Sequence, residues 1–204
     1  MKKTFLAILL NFSLILSLTG CGAEVFDASG YTKACLDAVY HEEYEAYTTF
    51  VGCTIDEAKA DMDEQSRLSV SNELSSLDIT VTEEQANKYL ILLKEIEDLA
   101  KYEIGQAEET ENGFLVSVTV YPVTVYEQFL DGIDTVYQNA ADNDSLSDET
   151  VFPLMIDYLE KCIENVQYKE ALETSIQVTE DSEGIWQISE DEMYALDDLL
   201  LPGI

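Results

Sequence analysis

The sequence predicts an α+β fold, in which an antiparallel sheet of about four strands in two hairpins is packed by several helices. Hydroxyl residues followed three positions later by Glu or Gln, the pattern of a capping box, mark several helix starts. Two further segments alternate apolar and polar residues on either side of a turn signal, as hairpins do. Because helices and hairpins follow one another in 204 residues without a visible boundary, we expect one domain.

Four helix starts are predicted by their capping residues, near positions 54, 82, 147 and 189. An earlier helix over about residues 29 to 48 is predicted from apolar residues at helical spacing, and Gly52 lies just past its end. The capping pairs are Thr54 with Glu57, Thr82 with Gln85 and Ser189 with Glu192, while Ser147 is a plain cap followed by Asp148 and Glu149.

Two hairpins supply the predicted strands. The first joins about residues 102 to 109 and 114 to 125 across Asn112-Gly113, a dipeptide that tolerates the positive φ of a tight turn. The second joins about residues 172 to 179 and 185 to 188. Alternation along these strands predicts that one face of the sheet is buried.

Amphipathic helices precede both hairpins, over about residues 83 to 100 and 148 to 167. A further helix covers about residues 126 to 140, and residues 141 to 147 form a polar loop. The unit of helix and hairpin therefore occurs twice. The similar junctions Lys101-Tyr102 and Gln167-Tyr168 suggest an internal duplication, which we interpret as a structural echo.

The charge balance excludes nucleic acid as a partner. The chain has 10 Lys and Arg against 42 Asp and Glu, a formal charge of −32, and Arg67 is its one arginine. A nucleic-acid binder needs clustered cations to displace counterions from phosphates. Since 47% of the residues are hydrophobic, the chain is too apolar for a disordered acidic tail, and we expect a packed core.

The N-terminal segment is typical of a secretion signal. It has the cationic pair Lys2-Lys3, an apolar run over residues 5 to 18 and the closing tetrad Leu18-Thr19-Gly20-Cys21. The run is shorter than the roughly 20 residues of a spanning helix. The tetrad resembles the lipobox of bacterial lipoproteins. That resemblance implies cleavage before Cys21, a lipid on its sulfur and anchoring on the extracytoplasmic face of the cell membrane. The alternative is an ordinary signal peptide.

The predicted organisation is therefore a signal peptide over residues 1 to 20, a lipid anchor and short tether over 21 to 28, and one extracytoplasmic domain over 29 to 204. Losing the signal removes two lysines, which takes the charge from −32 to −34. The closing pattern Gly184-Ile185-Trp186-Gln187-Ile188 resembles that of Gram-positive lipoproteins of the NTF2-like or cystatin-like type. No catalytic residue follows from this resemblance.

The sequence lacks the residues that most familiar catalytic and metal sites require. His41 is the one histidine, which excludes catalytic triads and zinc sites that need several imidazoles. No cofactor is expected. Asp142, Asp144 and Asp148 are a calcium candidate, although a loop counted from Asp142 has Ser147 and Pro153 where an EF-hand needs Gly and Glu. The alternative for this segment is a polar loop that caps a helix.

Three cysteines remain after lipidation of Cys21, an odd number for an exported domain. Cys35 and Cys53 would lie at opposite ends of the predicted first helix, too far apart for a disulfide. We expect free, structural thiols, with one disulfide involving Cys162 as the alternative.

The function best supported by the sequence is that of an anchored extracytoplasmic protein whose domain binds a small molecule or a protein partner without catalysis. The predicted ligand face is the sheet face with Tyr121, Val123 and Trp186, because aromatic rings bury area while their polar ends stay wet. The alternative is an envelope hydrolase with a buried carboxylate pair, which the sequence does not nominate. The domain from Glu24 onward is expected to fold alone.

Overall fold

The computed structural model describes residues 26 to 76, 79 to 142 and 147 to 203, and its fold is α+β as predicted. The described helices are α1 (Ala28–His41), α2 (Glu45–Val51), α3 (Ile55–Ser76), α4 (Glu83–Asp98), α5 (Val125–Asp142), α6 (Asp148–Glu164) and α7 (Glu190–Leu200). The strands are β1 (Lys101–Thr110), β2 (Gly113–Tyr121), β3 (Leu172–Glu180) and β4 (Trp186–Ile188).

The two predicted hairpins join into one antiparallel sheet with the order β1-β2-β3-β4. Gly113 of β2 pairs with both Thr110 of β1 and Thr179 of β3, so both hairpin turns lie at the same end of the sheet. We call this the turn end. At the opposite end, which we call the helix end, Lys101 pairs with Tyr121, and β1, β2 and β3 connect to helices.

One face of the sheet is buried and the other is polar, which follows from the alternation of side chains along each strand. α1 and α7 pack on the buried face. Ser117 and Ser175 pair directly on the other face and are exposed. The residues of the buried face are at most 6% exposed and include Val116, Val118, Val120, Ile176, Val178 and Ile188.

The predicted helix over residues 29 to 48 is wrong in one respect, because the chain breaks it into α1 and α2. Glu42 adopts a left-handed conformation with φ 54°, and the carbonyl of Asp37 accepts hydrogen bonds from its amide and that of Glu43. The break turns α2 back against α1, where Tyr44 and Tyr47 become buried.

The predicted helix starts are confirmed. Thr54 with Glu57 and Thr82 with Gln85 each form a complete capping box, with both reciprocal hydrogen bonds present. At Ser189 the box is half formed, since its hydroxyl accepts from the amide of Glu192 while the Glu192 carboxylate accepts from the amide of Gln177. The Gln177 amide lies just beyond the pairing of β3 with the short β4. The Glu192 carboxylate therefore caps a strand amide instead of the first turn of its own helix.

The helix-and-hairpin unit does occur twice, as α4-β1-β2 and α6-β3-β4. The two junctions differ, however. Tyr102 lies within β1, whereas Tyr168 precedes β3 and forms an isolated bridge with Val123. The similar dipeptides therefore occupy different structural positions.

Candidate functional site

The predicted lipidation site, Cys21, lies outside the described residues. The first described residue after it is Phe26, whose ring stacks on Trp186 with centroids 4.4 Å apart and planes 7° apart. Among the described helices, none is long and apolar enough to cross a membrane.

An aromatic cluster surrounds Phe26 at the turn end of the sheet. Phe114 lies 5.3 Å from Trp186 between ring centroids, and Tyr31 lies 5.5 Å from Phe26. The Tyr31 hydroxyl also donates to the carbonyl of Trp186 at 2.9 Å. Trp186 therefore joins the start of α1 to the sheet, on the same face as Ile188 and Val178.

Tyr121 lies on the opposite face, so the prediction that it shares a face with Trp186 is corrected. The reason is register: Val120 points into the core, and the next residue along β2 must point away. The Tyr121 hydroxyl donates to Glu103 at 2.6 Å, and Lys101 Nζ lies 4.4 Å above its ring. Lys101 also lies 5.8 Å from the ring of Tyr168, which is 44% exposed.

Val123, the third predicted ligand residue, is 0% exposed. Its amide donates to the carbonyl of Leu200, and its backbone bridges to Tyr168. Val123 therefore joins the end of α7 to the segment before β3. The structure does not bring Tyr121, Val123 and Trp186 together.

A group of acidic and tyrosine side chains between helices was not found from the sequence. Asp197 of α7 accepts a hydrogen bond from the hydroxyl of Tyr40 on α1. Glu97 of α4 interacts electrostatically with Asp197, and Tyr126 of α5 interacts with both. We call these residues, together with the Glu73–Tyr89 pair, the carboxyl cluster; its members are Tyr40, Glu73, Tyr89, Glu97, Tyr126 and Asp197.

Burial sets the protonation of the carboxyl cluster. It raises the pKa of Glu97 to about 8, and the charge of Asp197 adds to that rise. Burial raises the pKa of Asp197 to about 6, against the hydrogen bond from Tyr40. It raises the pKa of Glu73 to about 7, against the hydrogen bond of 3.0 Å from Tyr89. As the pH rises, Asp197 therefore loses its proton before Glu97 does.

A sequence signal for this cluster did exist. Glu97 lies four residues after Leu93 and Asp197 four residues after Met193, so each acid lies next to the apolar stripe of its helix. The stripes predicted which helix faces are buried. Which acids meet across three helices depends on packing that periodicity does not encode.

Within the described ranges, no group of three or more His, Cys, Asp and Glu side chains is arranged to hold a metal ion. Of the calcium candidate, Asp144 and the side chains of Asp142 and Asp148 lie outside the described residues.

The one histidine contacts an acid and a tyrosine. His41 Nδ1 lies 3.2 Å from Asp98, and its ring stacks on Tyr102.

Cys35, Cys53 and Cys162 are free thiols, and the first and last are buried. Cys35 and Cys53 do not lie at opposite ends of one helix as predicted, because the chain reverses at Glu42 and both thiols lie near Tyr47. Burial raises the pKa of Cys35 to about 12, so this thiol is a poor nucleophile at neutral pH.

A groove of about 670 Å³ runs along the outer side of α3. It includes neither a predicted ligand residue nor a member of the carboxyl cluster. Its lining residues are Ala60, Asp63, Glu64, Arg67, Leu68 and Ser71.

No family model matches the chain, and no curated protein matches it. A solved structure with a similar fold is that of a "putative lipoprotein (ycdA)" from Bacillus subtilis subsp. subtilis str. 168, with a TM-score of 0.63 and 15% sequence identity. The similarity covers 86% of this chain and 56% of that one, so the chain spans about half the length of the ycdA protein. At this identity the likeness shows the fold alone.

Proposed function

We propose that the chain is a lipoprotein, anchored on the extracytoplasmic face of the cell membrane through a lipid on Cys21, whose domain binds a ligand or partner without catalysis. The observation that carries this proposal is the tetrad Leu18-Thr19-Gly20-Cys21 at the end of a short cationic and apolar segment. The fold shared with the ycdA protein supports it.

The anchor is tested by replacing its cysteine. Cys21→Ala is expected to release the protein from membranes or to leave the uncleaved precursor, because the lipid has lost its attachment atom. Cys53→Ala is the matched control, since it removes a thiol that is free and outside the signal. Fractionation and mass spectrometry of both variants measure retention and processing. Unchanged retention of Cys21→Ala contradicts the proposal.

The binding role is supported by the surface at the helix end of the sheet. Lys101, Tyr121 and Tyr168 form a cationic and aromatic group there, and Tyr168 is 44% exposed. Exposed aromatic and cationic side chains are typical of recognition surfaces. The net charge of −34 after processing favours a partner with cationic groups around this contact.

A photo-crosslinking amino acid at position 168 tests this surface in living cells. We expect one defined adduct at position 168, and none when the same group replaces Ile91, which is 56% exposed on α4. Equal labelling at both positions, or adducts at 91 alone, contradicts a binding role for the helix end.

The second candidate function is an envelope hydrolase, and one observation favours it. Glu97 and Asp197 interact, and burial raises the pKa of one carboxyl to about 8 and of the other to about 6. An acid and a base held in different protonation states are the requirement for hydrolysis by a carboxyl pair. The test is turnover of aryl glycosides by the wild-type protein and two variants. Turnover that is lost in Asp197→Asn and kept in the exposed variant Glu95→Gln would favour the hydrolase over the binding module.

A further inference from the structure

Phe26 fixes where the tether joins the domain. Its ring stacks on Trp186 at 4.4 Å and lies 6.0 Å from Phe114. Phe114 directly follows the glycine that closes the first hairpin turn, and Trp186 follows the second turn. The chain therefore enters the domain at the turn end of the sheet.

Several contacts hold this entry point in place. Asp27 caps α1 by accepting a hydrogen bond of 2.9 Å from the amide of Gly30. The hydroxyl of Ser29 donates to the carbonyl of Gly105 on β1 at 3.0 Å. Together with the bond from Tyr31 to Trp186, these contacts attach the start of α1 to both edges of the sheet. The point at which the chain leaves the domain is thus fixed by the fold.

The tether is shorter than the sheet. Phe26 is five residues after Cys21, so the chain between them spans at most about 18 Å even when fully extended. β2 runs from Gly113 at the turn end to Tyr121 at the helix end, a length of about 27 Å. A lipid on Cys21 therefore keeps the turn end near the bilayer.

Charge opposes the alternative in which the domain lies flat on the membrane. The processed chain carries −34, and anionic headgroups repel an acidic surface. The tether holds the turn end against this repulsion, whereas the helix end is free to move outward.

We infer that the turn end of the sheet faces the membrane, and that the helix end, with Lys101, Tyr121 and Tyr168, is presented away from it. This inference rests on the lipidation of Cys21 in the proposed function. It orients the proposed recognition surface: a partner approaching from outside the cell meets the helix end first.

Trp186 is the one tryptophan of the chain and makes the orientation measurable. The full-length, processed lipoprotein is inserted into phosphatidylcholine vesicles that carry a dansyl group on phosphatidylethanolamine, and energy transfer from tryptophan to dansyl is recorded. Tyr168→Trp adds a second donor at the helix end. We expect transfer per tryptophan to fall towards about half of the wild-type value, because the added ring lies about 27 Å farther along the sheet.

A second variant tests the tether without changing the domain. Ten Gly and Ser residues inserted between Ala23 and Glu24 are expected to lower transfer from Trp186, because the turn end then moves away from the headgroups. This variant keeps every described contact, so it serves even where Tyr168→Trp alters the fold.

The outcomes separate the inference from the function beneath it. Vesicle flotation is measured first, and a wild-type protein that does not float overturns the lipid anchor itself. Flotation with transfer that is unchanged or higher in Tyr168→Trp overturns the orientation alone. Transfer that does not respond to the longer tether also overturns it.

Discussion

Replacing Glu97 with Gln removes a charge that the fold disfavours. Glu97 lies beside Asp197 and Tyr126 in the carboxyl cluster, where burial, and after it the charge of Asp197, raises its pKa from 4.5 to about 8. Lys94 opposes this rise in part. Because Gln resembles the protonated acid in shape and charge, the variant reports the cost of ionising this one group.

The sign of the effect follows from proton linkage. A carboxyl with a raised pKa in the folded state contributes stability that is fully present below pH 4.5 and is lost as the pH rises through about 8. At about 1.4 kcal/mol per pH unit, the shift sets a ceiling of about 5 kcal/mol. Water reaches this half-buried group, so we expect Glu97→Gln to stabilise the domain by about 3 kcal/mol at pH 9 and by almost nothing at pH 4.5.

The free energy of unfolding of both proteins is measured by urea denaturation of the domain from Glu24 onward. Trp186 fluorescence follows the transition at pH values between 4.5 and 9. Glu95→Gln is the matched control, because it removes the same charge from an exposed position on the same helix. Its effect is expected to be small at every pH. A stabilisation by Glu97→Gln that does not grow with pH, or one that Glu95→Gln reproduces, refutes the reasoning.

Three further substitutions are read from the same urea midpoints. Thr32→Val is expected to raise the unfolding free energy by about 1 kcal/mol, because the buried Thr32 Oγ1 has no hydrogen-bond partner among the described residues, and no change would contradict this. Gly132→Ala is expected to lower the unfolding free energy by about 2 kcal/mol, since the added methyl would lie 1.9 Å from the Tyr158 hydroxyl. In a Tyr158→Ala background the same change should raise the unfolding free energy. A lower unfolding free energy in that background would show that packing against Tyr158 is not the cause. Thr82→Ala should cost about 1 kcal/mol through loss of the cap on the Gln85 amide, so wild-type stability would exclude that contribution.

Local chemistry accounts for the elements that sequence reasoning predicted well. A cap such as Thr82 acts on an amide three residues away, and a turn such as Asn112-Gly113 acts within four residues, so each is visible in a short window. The same locality explains the error in the first helix. The break at Glu42 depends on how α2 packs back on α1, which no neighbouring residue signals.

The candidate sites depend on contacts between residues far apart in sequence. Tyr40 and Asp197 meet across 157 positions, and Tyr31 reaches Trp186 across 155. Alternation along β2 was enough to place Tyr121 opposite Val120, but only the pairing of β4 with β3 decides that Trp186 lies on the buried side. The predicted ligand face was wrong because it grouped Tyr121 with Trp186 before each residue had been assigned to one face of the sheet.

By itself the sequence determined the α+β class, the positions of the helix starts and hairpins, and a formal charge of −32, because composition, periodicity and capping are properties of single residues or of short segments. Tertiary structure alone decided that the two hairpins join into one sheet, that Phe26 packs at its turn end, and that Glu97 and Asp197 interact. These features arise where separate elements pack, and burial there changes the properties of side chains that look ordinary in the sequence.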